Sequence, residues 1–310
     1  MINKILISTS NFNFELLDEM LSVSKQKFEI IKNPFKRKLS EEEAIELLSD
    51  DVIGMIAGVE SLSEKVLKSS KSLKIISRCG IGIDNIDLNA AKNLEITITN
   101  TPDAPTLPVA ELTISHILSL LRKVGHSNTR LKMGHWEPQM GSLLNEKVIG
   151  IIGFGRIGKK VAFLLNAFGC KVQYYDPFVD TTECNATKVD LEFLLKSSDI
   201  ITIHMPYNAE THHMISHNEL NLMKNSALVF NLSRGGLINE NALYEALINK
   251  KIDGAGIDAF EKEPYTGPLI SLENVILTPH MGSYAKESRY KQEYESIINL
   301  INSLKKINSF

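Results

Sequence analysis

Lys147-Val-Ile-Gly-Ile-Ile-Gly-Phe-Gly-Arg-Ile-Gly-Lys-Lys-Val161 is the stretch whose reading decides the fold. Val148 to Ile152 is a short apolar run of the kind that forms a buried strand, and Gly153, Gly155 and Gly158 follow it. Beyond them Ile157, Val161, Leu164, Leu165 and Phe168 recur at helical spacing. Gly153 allows a tight strand-to-helix turn, and Gly155 lets the backbone approach a pyrophosphate. Gly158 lets the helix pack closely on its strand, and Arg156 and Ile157 open a helix whose free N–H groups face negative charge. A bare G-x-G-x-x-G is a weak signal; a strand before it and a helix after it make it informative. A second strand pattern, Cys170-Lys-Val-Gln-Tyr-Tyr175, leads to Asp176, 18 residues beyond Gly158. A carboxylate there accepts hydrogen bonds from a ribose diol and repels a 2′-phosphate, so NAD is favoured over NADP. The plain alternative for Asp176 is a turn carboxylate before Pro177.

Strand–helix alternation extends from this stretch in both directions. Downstream, strand patterns recur at Ile200–Ile203, Ala227–Asn231, Gly254–Ile257 and Val275–Leu277, enough for a complete doubly wound dinucleotide domain. Upstream they are Lys4–Ile7, Phe28–Ile31, Val52–Ala57 and Leu73–Ser77. Helical patterns lie between them, at Phe14–Leu21, from the capping box Ser40-Glu-Glu-Glu43 to Leu48, and at Leu62–Leu67. Alternation of this kind implies a parallel sheet covered by helices. The upstream half has no Rossmann glycine fingerprint and is expected to do another job.

The proline-rich Asn100-Thr-Pro-Asp-Ala-Pro-Thr-Leu-Pro108 reads as a domain junction. A single long helix, Val109 to Val124, is expected after it, apolar on most sides and so buried in a core or a subunit contact. Trp136 is expected to be an anchor for packing or a dimer contact. A C-terminal helix from Ser283 to about Ser303 is assigned to the first domain. The domains expected are therefore 1–99 plus 284–310, and 100–283.

Composition narrows the function classes. The 310 residues are 43% hydrophobic and 23% charged, with net charge −3, so nothing points to nucleic acid or an anionic membrane as partner. Cys79, Cys170 and Cys184 have neither metal-site nor disulfide-framework spacing, and no metal is expected. No signal peptide or membrane-spanning run is read, so a cytoplasmic location is expected.

Ligands of open α/β sheets bind at the carboxyl ends of strands. The segments there are His204-Met-Pro206, Leu232-Ser-Arg-Gly-Gly236, Asp258-Ala-Phe-Glu-Lys-Glu-Pro264 and Thr278-Pro-His-Met-Gly-Ser283. Arginine offers a planar fork for a carboxylate. Histidine is the proton carrier near neutral pH, and a nearby carboxylate fixes its ring. In the first half, Gly80 and Gly82 follow a strand and form a loop able to hold an anion, whereas Lys36-Arg37-Lys38 reads as solvated surface.

Phe154-Gly-Arg-Ile-Gly158, Asn231-Leu-Ser-Arg-Gly-Gly236, Asp258-Ala-Phe-Glu-Lys-Glu-Pro264, Thr278-Pro-His280, Arg78-Cys-Gly-Ile-Gly-Ile-Asp-Asn-Ile86 and Val109-Ala-Glu111 together resemble the signature blocks of the NAD-dependent D-2-hydroxyacid dehydrogenases. The resemblance runs nearly end to end and implies a Rossmann cofactor domain inserted in a flavodoxin-like substrate domain, in a homodimer. It implies that Arg234 binds the substrate carboxylate and polarises its carbonyl. His280 is then the acid/base and Glu263, which precedes a proline, its partner carboxylate. Arg78, Gly80 and Ile81 fall on the substrate-binding loop. The cofactor set is Gly153, Gly155, Arg156, Ile157, Gly158, Asp176, His204, Met205, Pro206, Thr211, Leu232, Ser233, Asp258 and Gly282, with Asp258 at the nicotinamide amide.

The first half most resembles short phosphoglycerate dehydrogenase-like members that lack the regulatory domain, so 3-phosphoglycerate is one candidate substrate. Ala57-Gly-Val-Glu60 departs from that pattern, since many phosphoglycerate enzymes carry an arginine there for the phosphate. A phosphate contact would have to come from elsewhere, with Lys36, Arg37 or Lys38 as candidates. The alternatives are a glyoxylate or hydroxypyruvate reductase and, in another class, a corepressor-like NAD(H) sensor.

Overall fold

The computed structural model describes residues 3–22 and 28–307. The chain forms two compact units, one holding the residues up to Pro105 with those from Ser283 onward, the other Thr106–Gly282.

In the first unit the strands are β1 (Lys4–Ile7), β2 (Glu29–Lys32), β3 (Val52–Ala57), β4 (Ile75–Arg78) and β5 (Thr97–Thr99). All pair in parallel, in the order β2-β1-β3-β4-β5, which is the flavodoxin-like order. Helices α1 (Phe14–Ser22), α2 (Glu41–Leu47), α3 (Glu64–Leu67) and α4 (Leu88–Asn93) accompany them. The central strands β1, β3 and β4 are almost wholly buried because helices cover both faces. Ser40 and Glu43 form a capping box at the start of α2. The C-terminal helix, Lys286–Ile307, packs on this sheet: Leu300 lies against Gly54, and Ser77 Oγ donates to the Ser296 carbonyl at 2.8 Å. The segment around Asn100 belongs to this unit, since Thr101 N–H donates to the Gly80 carbonyl and Asn100 Nδ2 to that of Ile81.

The second unit contains β6 (Val148–Ile152), β7 (Lys171–Tyr175), β8 (Thr187–Lys188), β9 (Ile200–Ile203), β10 (Leu228–Asn231), β11 (Gly254–Ile257) and β12 (Val275–Leu277). They form one parallel sheet in the order β12-β11-β10-β9-β6-β7-β8. The helices are α5 (Thr106–Leu121), α6 (Val124–Lys132), α7 (Arg156–Ala167), α8 (Leu191–Ser197), α9 (His217–Leu222) and α10 (Glu240–Ile248). Two apolar clusters sandwich the sheet. One gathers α5 and α7 around Ile149, Ile151 and Phe230; the other gathers α8, α9 and α10 around Ile201, Val229 and Ile257. Phe154, fully buried just beyond β6, stacks on Tyr174 with ring centroids 3.9 Å apart.

The single helix expected over Val109–Val124 is two helices. Ser142 N–H occupies the Leu121 carbonyl, and Lys123 adopts a left-handed conformation (φ 53°), so the chain turns before α6 begins. Trp136 is 84% exposed, so it is not packed into a core among the described residues. The helix expected over Leu62–Leu67 is shortened to α3, because Leu62 forms a bridge with Ile86.

Candidate active site

Because every strand of the second unit runs the same way, the segments that follow them meet along one edge of the sheet. Across it, in strand order, come Asp176 after β7, the glycines after β6, His204 after β9, Arg234 after β10, Asp258 and Glu263 after β11, and His280 after β12. From β7 to β10 is three strand spacings, roughly 14 Å.

The glycines each meet a different constraint. Gly153 has φ +91°, and a Cβ on it would lie 2.6 Å from the His204 carbonyl oxygen. A Cβ on Gly158 would meet the Gly153 carbonyl oxygen at 2.2 Å, so α7 sits hard against the turn. Gly155 differs: a Cβ there would meet nothing within 4 Å, and no side chain caps the helix that starts beside it. Open space above an uncapped helix N-terminus is what a pyrophosphate requires, so these residues fit a dinucleotide. Asp176 closes the cradle. Its Oδ2 accepts from Phe154 N–H at 2.7 Å, and Oδ1 from Phe178 and Val179 N–H at 2.8 and 3.1 Å. Three donors leave about one of a carboxylate's four lone-pair directions for a ribose hydroxyl.

The other end of the edge holds the titratable groups. His280 Nδ1 lies 2.8 and 3.0 Å from the two Glu263 oxygens, and Glu263 Oε1 also accepts from Phe260 N–H at 3.1 Å. A carboxylate only accepts, so Nδ1 carries the proton of the neutral ring and Nε2 presents a lone pair. Arg234 Nη1 donates to the Ser233 carbonyl at 2.8 Å. Gly235, next to it, packs so tightly on the Phe260 backbone that a Cβ would sit 2.0 Å from its carbonyl oxygen. That approach draws the arginine loop against the loop that carries Glu263. Glu261 faces elsewhere, pairing with His213 at 2.9 Å.

Several expected cofactor residues have a local structural task. Asp258 is fully buried, and its carboxylate accepts from Thr278 Oγ1, Met281 N–H (2.9 Å) and Gly282 N–H (2.8 Å). Ser233 Oγ donates to the Ile203 carbonyl at 2.6 Å, tying the β10 and β9 ends together, and Leu232 is buried. Thr211 Oγ1 accepts from Asn208 N–H and donates to the Pro206 carbonyl, which shapes the loop after His204 and Met205. His204 Nε2 bonds Thr202 Oγ1 at 2.9 Å while its buried Nδ1 has no partner, and burial pushes its pKa down to about 3. His116 on α5, which the sequence reading did not single out, reaches Thr278 Oγ1 at 3.1 Å. A lone histidine in a helix apolar on most sides was the available signal.

The remaining expected residues lie in the first unit. Arg78 is buried at the end of β4 and donates through Nη1 to the Cys79 carbonyl. Gly80 N–H donates to the Arg78 carbonyl at 3.0 Å, so this amide is already engaged; Ile81 is half-buried. Glu60 is buried and accepts from Ser8 Oγ and from Gly58 N–H at 3.0 Å. Lys36, Arg37 and Lys38 are exposed, and Arg37 is held in a two-pronged pair with Glu43. Among the described residues no cluster of His, Cys, Asp or Glu is arranged for a metal ion, the three cysteines are free, and no helix is long and apolar enough to cross a membrane.

A dinucleotide cradle with a histidine–carboxylate pair and an arginine on the same sheet edge defines an NAD-linked dehydrogenase site. Residues 114–282 match the model of the D-isomer specific 2-hydroxyacid dehydrogenase NAD-binding domain. The chain is 35% identical to a hydroxypyruvate reductase of Thermotoga maritima, over 92% of its own length and 94% of the relative's. It is 38% identical to a D-3-phosphoglycerate dehydrogenase of Methanocaldococcus jannaschii over 81% of its length, but spans only 49% of that longer protein. The structure of the Aquifex aeolicus D-lactate dehydrogenase complexed with NAD and lactic acid superposes with a TM-score of 0.84 at 29% identity, covering 98% of this chain and 97% of that one. The chain belongs to the D-isomer specific 2-hydroxyacid dehydrogenase family, and NAD is its cofactor.

Two predictions arise from this geometry. Gly155→Ala places a methyl group in open space at an ordinary backbone conformation (φ −74°). Its melting temperature should match wild type while NADH affinity, read by fluorescence titration, falls about tenfold or more, a loss of ~1.4 kcal/mol; unchanged affinity would rule the cradle out. The second concerns acid. Burial lowers the pKa of His116 and His204 below the unfolded value, so the unfolded chain binds more protons as pH drops. Their contribution to stability is complete above about pH 6.5 and is lost on descent towards the folded values. Calorimetry from about pH 7.5 to about pH 5 should show a falling melting temperature, less steep in His204→Gln. Equal slopes in the two proteins would remove His204 from the account.

Proposed function

We propose that this chain interconverts D-2-hydroxy acids and 2-keto acids, with Arg234, Glu263 and His280 as its catalytic set. The observation that carries the reading is the His280–Glu263 pair, which leaves Nε2 as the free nitrogen of the ring. In oxidation Nε2 takes the hydroxyl proton of the substrate, and the Glu263 carboxylate steadies the imidazolium that forms. Arg234 neutralises the substrate carboxylate and draws charge from the C2 oxygen. Bound NAD supplies the hydride acceptor. In reduction the imidazolium returns its proton to the developing alkoxide while Arg234 stabilises it. Arg78 and Ile81 are assigned to the substrate carboxylate, with Gly80, whose amide holds the Arg78 carbonyl, shaping their loop, and His204, Met205, Pro206, Thr211, Leu232, Ser233, Asp258 and Gly282 to the walls of the cofactor site.

Two observations favour small unphosphorylated acids over 3-phosphoglycerate. Glu60 sets an acidic side chain beyond β3, beside the Arg78 strand, and the Arg37 guanidinium is engaged by Glu43. A relative that this chain matches over nearly its whole length is a hydroxypyruvate reductase. We assign the protein to the cytoplasm, with no nucleic-acid or membrane partner, and read it as a homodimer. The dimer reading rests on exposed apolar side chains at the end of α6 and between α6 and β6, among them Leu131, Met133, Trp136, Met140 and Leu143.

The deciding assay is NADH oxidation with glyoxylate, hydroxypyruvate and 3-phosphohydroxypyruvate, with NADPH in parallel. Hydroxypyruvate or glyoxylate should be reduced fastest. His280→Ala should lower kcat about 10²- to 10⁴-fold while retaining NADH binding. Wild-type turnover in that variant would overturn the catalytic assignment, and tight NADH binding without turnover of any acid would point to the sensor. In sedimentation, Trp136→Lys should shift the protein from dimer to monomer. A wild-type chain that sediments as a monomer would end the dimer reading.

A further inference from the structure

Helix α5 presents Val109, Ile114, Ile117 and Leu121 to the core, and among them stands a single titratable side chain, His116, which is 3% exposed. Its Nε2 lies 3.1 Å from Thr278 Oγ1. That hydroxyl is bonded in turn to Asp258 Oδ1, which also accepts from Met281 N–H, while Oδ2 accepts from Gly282 N–H. The two amides lie directly after His280.

Donor arithmetic fixes the protons. An ionised carboxylate accepts only, so the one Thr278 hydroxyl proton points to Asp258. The Thr278 oxygen then offers His116 nothing but lone pairs, and His116 Nε2 must carry a proton. Nδ1 is left bare, without a partner, and a Cβ on Gly256 would sit 3.1 Å from it. A leucine would fill this face of α5 with no unsatisfied nitrogen, so packing alone does not account for an imidazole here.

His280 itself has φ +51°, a left-handed conformation that a bulky residue adopts only when its surroundings hold it there. Its own N–H donates to the Thr278 carbonyl at 3.0 Å. We infer that His116 is a positioning residue for His280: its Nε2–H fixes the Thr278 hydroxyl and, through Asp258, the two amides that hold the 278–282 turn with His280 facing Glu263. The inference rests on the reading of His280 as the acid–base group.

The test uses the full chain labelled with ¹⁵N-histidine. Wild type should show His116 as the Nε2–H tautomer and His280 as the Nδ1–H tautomer. In His116→Leu, and independently in the volume-conserving Thr278→Val, the His280 signal should move to an average of both tautomers. In both, kcat should fall about 10- to 100-fold with little change in KM for the keto acid. His116→Gln, whose amide supplies a donor on the same side, should recover most of the rate, and the Leu/Val double variant should be no worse than either single one. An unchanged His280 signal in both single variants, a His116 protonated on Nδ1, or a glutamine no better than leucine would overturn the inference. A wild type inert towards every 2-keto acid would defeat the proposed reaction alone, because the tautomer signals still decide whether His116 positions His280.

Discussion

The Asp258 carboxylate is the group on which the candidate catalytic edge of the second unit depends. Taking a carboxylate fully out of water is costly unless donors surround it. Here a hydroxyl and two consecutive backbone amides do so, all three from the turn that follows β12. The charge is therefore solvated by the same segment that carries His280. Remove it, and the two N–H groups, that of Gly282 buried, lose their acceptor at the place where a left-handed histidine has to be held.

A parallel sheet is what allows such economy. Each strand delivers its following loop to the same edge, so Arg234, Asp258, Glu263 and His280 come together although the sequence separates them. Neighbouring loops then fix one another. Gly235 abuts the Phe260 carbonyl, Ser233 holds the Ile203 carbonyl, and Asp176 reaches back to the amide of Phe154. The cofactor cradle and the histidine–carboxylate pair are two ends of one continuous edge. Their separation is set by strand spacing, not by the length of any loop.

Most of this fold was legible because its strands are short apolar runs bounded by glycine, proline or polar turns, which is how strands buried on both faces read. The flavodoxin-like and Rossmann strand orders could be expected only through the resemblance, since alternation gives parallel pairing and not order. The elements that escaped had no apolar pattern to show. β8 is two exposed polar residues, and β5 and α4 are short and mixed. The break between α5 and α6 depends on Ser142 reaching the Leu121 carbonyl, a tertiary contact invisible in a local window. Within the site, residue types at strand ends pointed to Arg234, His280 and several carboxylates, and only the resemblance singled out Glu263 among them. The division of labour between Glu261 and Glu263 is decided by three-dimensional contact, and so are the buried tasks of Asp258, Thr278 and His116.

The place of β12 in the sheet has a consequence for how the two ends of this edge behave. It is a three-residue, half-buried edge strand with a single neighbour, β11, whereas β6, which leads into the glycine turn, is central and paired on both sides. Local opening starts where few contacts must be broken. The strand that leads to His280, the proposed proton-transfer group, is thus among the least secured of its unit, and the strand that leads to the glycine turn is among the most secured. With His280 in its proposed role, fraying at β12 would separate the capacity to bind a dinucleotide from the capacity to use it, without unfolding the unit as a whole.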